Sequence, residues 1–177
     1  MQNLQINHHG ICPQAQFIES PNHDLREIDD ISLIVIHNIS LPPGEYGSNG
    51  IIDLFKNQLN ANEHPYYAEI AHLKVSSHFL IRRDGHLIQF VPCTKRAWHA
   101  GVSNWNGKER CNDFSIGIEL EGSDFEAFEP NQYDTLKLLI ASLKTAYSIQ
   151  AIVGHSDIAP GRKTDPGPYF NWTEIEP

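Results

Sequence analysis

The chain has 177 residues, 40% hydrophobic and 20% charged, with 22 acidic against 13 basic side chains and a formal net charge of −9. That length suits one domain with a real core and is too short for two comfortable ones, while the acidic balance excludes non-specific nucleic-acid binding and docking on an anionic membrane, both of which need a basic face. Residues 1–9 are polar and carry no recognisable export signal. No apolar run approaches the roughly 18 residues of a membrane helix. Cys12, Cys93 and Cys111 are odd in number and lack CxxC spacing, so they read as reduced thiols of a cytoplasmic protein.

The single domain is expected to span 1–177, with residues 1–29 as an N-terminal extension packed on or near it. Residues 31–37 are apolar and β-branched, which suits a central strand covered on both faces. Breakers at Leu41-Pro42-Pro43-Gly44 and Gly47-Ser48-Asn49-Gly50 make 38–50 a loop, and Ile51-Ile52-Asp53-Leu54-Phe55 opens a short helix. Residues 76–82 and 86–91 flank the turn signal Asp84-Gly85 and read as a hairpin. In 114–121, Phe114, Ile116, Ile118 and Leu120 share one face, with Ser115, Gly117, Glu119 and Glu121 on the other. Pro130 suits a first helical turn, and Tyr133, Leu136, Leu139, Ile140, Leu143 and Tyr147 recur at helical spacing, so 130–147 is an amphipathic core-facing helix. A last apolar run, Ala151-Ile152-Val153, leads into the loop 154–167. The fold class is α/β: one mixed central sheet flanked by helices, with the active-site loops at one edge.

Two histidines, His37 and His155, close apolar strands, where a structural role for a polar ring is hard to supply. Asp165, on the glycine- and proline-stiffened loop after His155, adds a carboxylate. Two histidines and a carboxylate make a three-ligand zinc set that leaves one position open, the pattern of a hydrolytic rather than a structural site. Zinc in such a set lowers the pKa of bound water to about 7, and a proton acceptor and donor are then needed. Glu119 serves best, with Gly117 on the same face leaving space for a ligand; Glu121 is its direct rival. Lys163, two residues before Asp165, could aim an ammonium at a developing oxyanion or be a solvated loop lysine, and Arg162 reads as a surface neighbour. The remaining histidines, including His64, His72, His78, His86 and His99, read as surface or hydrogen-bonded core residues.

Several ordered runs carry a resemblance: His37-Asn38-Ile39-Ser40-Leu41-Pro42-Pro43-Gly44-Glu45-Tyr46-Gly47, Ile81-Arg82-Arg83-Asp84-Gly85, Lys95-Arg96-Ala97-Trp98-His99-Ala100-Gly101, Arg110 to Gly122, and the 154–167 loop. Together they resemble the cytosolic anhydro-muramyl-peptide amidases. These belong to the zinc N-acetylmuramoyl-L-alanine amidase group, which also includes phage amidases and peptidoglycan recognition proteins. The resemblance implies an enzyme of peptidoglycan recycling that cleaves the amide between the lactyl group of 1,6-anhydro-N-acetylmuramic acid and L-alanine. It implies Zn2+ on His37, His155 and Asp165, Glu119 as general acid/base and Lys163 as oxyanion stabiliser. Phage relatives carry Cys in place of Asp165, and many relatives use Tyr in place of Glu119. Asn38 and Arg110 match positions expected around the peptide and sugar. Lys74 stands where close relatives often carry Arg, a point charge in place of a planar fork. Trp98 could pack on the sugar or be a buried aromatic.

The partner expected is thus a small muropeptide and neither nucleic acid nor membrane, with the chain acting as a monomer. The alternative from another class is a non-catalytic peptidoglycan-binding module on the same fold, which would have no use for His37, His155, Asp165, Glu119 and Lys163 together. An extracytoplasmic autolysin would be expected to carry a leader or wall-binding repeats, and a general zinc peptidase an HExxH helix.

Overall fold

The computed structural model describes residues 3–26 and 30–175; residues 1–2 and 27–29 of the N-terminal extension lie outside that description. In chain order the strands are β1 Gln16–Phe17, β2 His23–Leu25, β3 Leu33–Ile39, β4 Phe79–Ile81, β5 Leu87–Gln89, β6 Lys95–Ala97, β7 Asn104–Trp105, β8 Lys108–Glu109, β9 Ser115–Glu121 and β10 Ala151–Gly154. The helices are α1 Gly50–Phe55, α2 Pro65–Ile70, α3 Pro130–Ala146 and α4 His155–Ile158. Six strands form the main sheet in the order β1-β5-β4-β9-β3-β10, and β2-β6 and β7-β8 make two small antiparallel pairs. Strands β4, β9, β3 and β10 run parallel to one another, while β4 and β5 form an antiparallel hairpin. Its turn needs Gly85, which sits at φ +85 and donates its N–H to Arg82 O.

The apolar run of β3 is buried on both faces because its alternate residues feed different cores. Ile34 and Ile36 pack with Leu136, Leu139, Ile140 and Leu143 of α3, and Leu33 and Val35 pack with Ala100, Phe114 and Ile158 on the opposite side. The third core lies under α1 and α2, where Leu54, Phe55 and Tyr67 meet Leu80, Ile88 and Phe90. All seven residues of β9 are buried, the polar face included. This strand lies between β4 and β3, so its polar side chains face covered space rather than solvent. Helix α3 begins at Pro130, and Gln132 returns its side-chain oxygen to the Glu129 N–H at 3.0 Å. The Gln132 amide also donates to Ile81 O and Glu121 O, which ties the helix start to the sheet.

The N-terminal segment is part of this body. Leu4 and Ile6 pack against the α3 core, and β1 extends the sheet beside β5. The Arg26 guanidinium donates to four backbone carbonyls, those of Cys93, Asn112, Asp113 and Ser115, at 2.6–3.1 Å. Burial pulls its pKa down to about 10. Arg26 thereby pins the segment to the turn that leads into β9. Arg26→Ala leaves those acceptors without a donor and is expected to cost roughly 2–3 kcal/mol. In thermal denaturation that is a Tm loss of about 4–12 °C for a chain of this size; an unchanged Tm would show that the pin is idle.

Candidate metal centre and active site

The site forms where parallel strands end. The register of β3 against β9 sets His37 beside Glu119, and β10 pairs Gly154 with Ile36, which delivers His155 next to His37 as the chain leaves the strand. His37 is the fifth residue of β3, which runs two residues past it, and His155 is the first residue of α4, not a strand end. The short helix turns the chain so that the loop returns Asp165 to the same point: Ser156 N–H donates to Asp165 O at 3.0 Å. Gly154 is required here, since a Cβ would lie 2.7 Å from the Pro166 ring.

His37 Nδ1, His155 Nδ1 and Asp165 Oδ2 form a nearly equilateral triangle with edges of 3.0, 3.0 and 3.1 Å. Among the described residues these three form the one group of His, Cys, Asp or Glu side chains that could hold a metal ion. A tetrahedral zinc centre with bonds of about 2.0–2.2 Å holds its ligand atoms about 3.3–3.5 Å apart, so the triangle fits such an ion after a relaxation of a few tenths of an ångström. The outer nitrogens are engaged elsewhere: His155 Nε2 lies 3.1 Å from Ala100 O, and His37 Nε2 lies 2.9 Å from His99 Nδ1. Burial lowers the His37 pKa to about 4, which keeps the ring neutral and fit to ligate. The three cysteines are free and buried, and none joins the triangle.

Two carboxylates on β9 that look equivalent in sequence part company here. Glu121 is fully employed: its oxygens accept from Gly47 N–H at 2.7 Å, Arg83 N–H at 3.2 Å and the Arg82 guanidinium at 3.3 Å, fastening the 41–50 loop to the sheet. Glu119 Oε2 is buried without a hydrogen-bond partner, and the side chain faces the cleft that holds His37, His155, Asp165 and Lys163. Burial, reinforced by the Asp165 charge, pushes its carboxyl well above the usual range, and Lys163 works the other way. The space above Gly117 is not free for a ligand, as the sequence suggested. The His99 ring fills it, with a Cβ on Gly117 falling 2.5 Å from His99 Cγ. His99 was the residue that sequence reasoning passed over; the glycine two positions before Glu119 was its signal, pointing to a packed ring rather than to a ligand.

The cleft has a volume of about 330 Å3. Its floor is the polar cluster, and its walls include Leu41, Leu54, Ile70, Leu73 and Val75. Trp98 is half-buried and also lines it, as does Asn38. The Asn38 amide donates to Asp124 Oδ1 at 2.6 Å and to Pro166 O at 3.0 Å, bracing the loop that carries Asp165. Lys163 is an exposed loop residue whose side chain reaches the cleft, whereas Arg162 donates to Ala100 O and Val102 O on the outer side of the same loop. Lys74 is exposed between Leu73 and Val75 and is not among the lining residues. Arg110 lies outside the cleft, paired with Asp113 at 3.1 Å on a different surface groove.

His37→Ala and Asp165→Ala are each expected to lose bound zinc in metal analysis of the purified protein; a full equivalent retained by either would remove that residue from the ligand set. For Glu119 the sign follows from its raised pKa. The folded state holds the extra proton, so the penalty is absent below the unfolded pKa of about 4.3 and grows as pH rises above it. Metal-free Glu119→Gln should therefore melt several degrees above the metal-free parent at pH 7, with the gap closing near pH 4. Equal melting at both pH values would show that Glu119 carries no such cost. Glu121→Ala should instead destabilise by about 1–3 kcal/mol at neutral pH while zinc binding persists.

The family model described as N-acetylmuramoyl-L-alanine amidase matches residues 27–168. Over 166 residues the chain is 55% identical to the 1,6-anhydro-N-acetylmuramyl-L-alanine amidase AmpD of Salmonella typhimurium (strain SL1344), covering 92% of this chain and 89% of that protein. A crystal structure of a selenomethionine AmpD derivative superposes with a TM-score of 0.93 at 53% identity, covering 94% of this chain and 95% of the other. The Escherichia coli amidase AmiD, solved with the substrate anhydro-N-acetylmuramic acid-L-Ala-D-gamma-Glu-L-Lys, is similar at TM-score 0.61 and 31% identity over 98% of this chain and 64% of that one. The family match from 27 to 168 takes in His37, Glu119, His155 and Asp165, and the chain belongs to the N-acetylmuramoyl-L-alanine amidase family.

Proposed function

We propose that this amidase hydrolyses the bond between the lactyl group of 1,6-anhydro-N-acetylmuramic acid and L-alanine in soluble muropeptides, as a zinc enzyme of cytoplasmic peptidoglycan recycling. The observation that carries the chemistry is the buried Glu119 carboxyl, its Oε2 without a hydrogen-bond partner among the described residues, lining one cleft with the His37–His155–Asp165 triangle. A module that only binds has no use for a buried acid left without a partner, because that costs stability. The anhydro-sugar specificity is supported by the relatives, since the Salmonella protein bears that substrate in its name and the E. coli amidase was solved with an anhydro-muramyl tripeptide. Three buried free thiols support a reducing compartment.

When bound at the triangle, zinc supplies Lewis-acid polarisation of the scissile carbonyl and acidifies a water molecule. The chain's own residues do the rest. The Lys163 ammonium opposes the burial of Glu119 and favours its ionised form. The Glu119 carboxylate takes the proton of the attacking water as the carbon–oxygen bond forms, then returns it to the L-alanine nitrogen as the carbon–nitrogen bond breaks. Lys163 faces the negative charge that develops on the carbonyl oxygen. The apolar walls and Trp98 cover the sugar and limit solvent.

Mass spectrometry of a digest with anhydro-muramyl tripeptide and its reducing-sugar counterpart tests this. Release of tripeptide from the anhydro form by the zinc-loaded protein is expected, and Glu119→Gln should lose 10²-fold or more in turnover, on the order of a missing acid/base, with zinc still bound. No release from either substrate by protein holding zinc would favour the binding-module reading, and equal release from both would remove the recycling specificity.

A further inference from the structure

A neutral imidazole carries one proton, and only the bare nitrogen can ligate. Which nitrogen that is depends on what the other one meets. For His155 the answer is local: Nε2 faces Ala100 O at 3.1 Å, a carbonyl can only accept, and Nδ1 is left bare toward the triangle. For His37 the neighbour is another imidazole, His99 Nδ1 at 2.9 Å, and either ring could in principle donate. The far end of the chain of contacts decides. Ser115 Oγ lies 2.6 Å from Cys111 O, so the hydroxyl proton is committed there. Ser115 Oγ must then accept from His99 Nε2, 3.2 Å away. That leaves His99 Nδ1 bare, so it accepts the proton of His37 Nε2, and His37 Nδ1 is bare toward His155 and Asp165. His99 and Ser115 are both buried, and among the described residues no carboxylate hydrogen-bonds to the His99 ring.

We propose that His99, oriented by Ser115, is a positioning residue of the metal centre: it fixes the proton of His37 on Nε2 and thereby presents Nδ1 as a ligand. The dipeptide His99–Ala100 supplies the outer partner of both ligand histidines, the ring for His37 and the carbonyl for His155. Asn112 holds that dipeptide in place, its Oδ1 accepting from His99 N–H at 3.1 Å and Ala100 N–H at 2.8 Å. Gly117 lets the His99 ring lie against the strand. The inference rests on the metal-site reading above, but its first test does not need the metal.

Long-range proton–nitrogen correlation spectra of the metal-free protein report imidazole tautomers directly. His99, whose Nε2 faces the committed Ser115 hydroxyl, is expected as the Nε2–H form; an Nδ1–H signal for His99 overturns the proposal. Chelator competition then reads zinc affinity. His99→Phe keeps a ring over Gly117 but offers no acceptor, and should weaken zinc about 10–100-fold. His99→Asn places an oxygen near the Nδ1 position and should recover most of that loss. Affinity of His99→Phe equal to the parent, or His99→Asn no better than His99→Phe, overturns the role, the latter because packing alone would then explain the effect. Should a variant fail to fold, the parent spectrum still decides. A parent that binds no zinc yet shows the expected tautomers would sink the metal reading and leave the hydrogen-bond order standing.

Discussion

The parallel register of three adjacent strands is the constraint from which the rest of this molecule follows. β9, β3 and β10 lie side by side with Glu119 opposite His37 and Gly154 opposite Ile36. The carboxyl ends of neighbouring parallel strands sit about 4.8 Å apart, so residues of unrelated sequence position arrive in one row. Open sheets with parallel strands commonly bind ligands beyond those ends. A slip of one residue in β3 would turn His37 to the opposite face of the sheet. That register is held by the apolar residues of β3, which are committed to separate cores above and below the sheet. The packing of the core therefore sets the position of the chemistry.

The site is polar chemistry placed in a dry environment, and each group bears the consequence differently. His37 is held neutral by burial, with its pKa down to about 4. Glu119 is pushed the other way, toward its protonated form, by burial and by Asp165. Both shifts come from removal of these groups from solvent. A low dielectric strengthens the effect of any charge placed there, so the same burial that raises the Glu119 carboxyl makes the opposing pull of Lys163 effective.

Around that centre the structure spends side chains on holding loops. Glu121 fastens the 41–50 loop, Asn38 joins the 122–128 loop to the Asp165 segment, Asn112 pins His99 and Ala100, and Arg26 ties the N-terminal segment to the entry of β9. None of these contacts touches the triangle itself. Asn38 and Asn112 brace the segments that carry Asp165 and His99, while Glu121 and Arg26 fix the loop and strand around them. Asn38 shows the point: its amide protons are committed to Asp124 and Pro166, so its contribution to the cleft includes bracing the ligand loop from behind.

The sequence by itself determined the elements whose signals are local. The apolar run of β3, the Asp84-Gly85 turn and the helical spacing behind Pro130 follow from periodicity and residue chemistry, whereas His37, His155 and Asp165 became one candidate set through residue type and through what the family resemblance implies. Local signals also carry small errors: the 154–167 loop contains the short helix α4, and β9, which reads as having a polar face, has no solvated face at all. What only the tertiary structure decided was partnership. Glu119 and Glu121 are the same residue type on the same strand face, and periodicity left Glu121 a direct rival to the preferred Glu119. The fold separates them by giving one three donors and the other none. His99 looked like any of ten histidines until the chain brought it over Gly117 and against His37. The physical reason is the same in each case: periodicity records which way a side chain points, whereas hydrogen bonding and desolvation depend on what distant segments place in front of it.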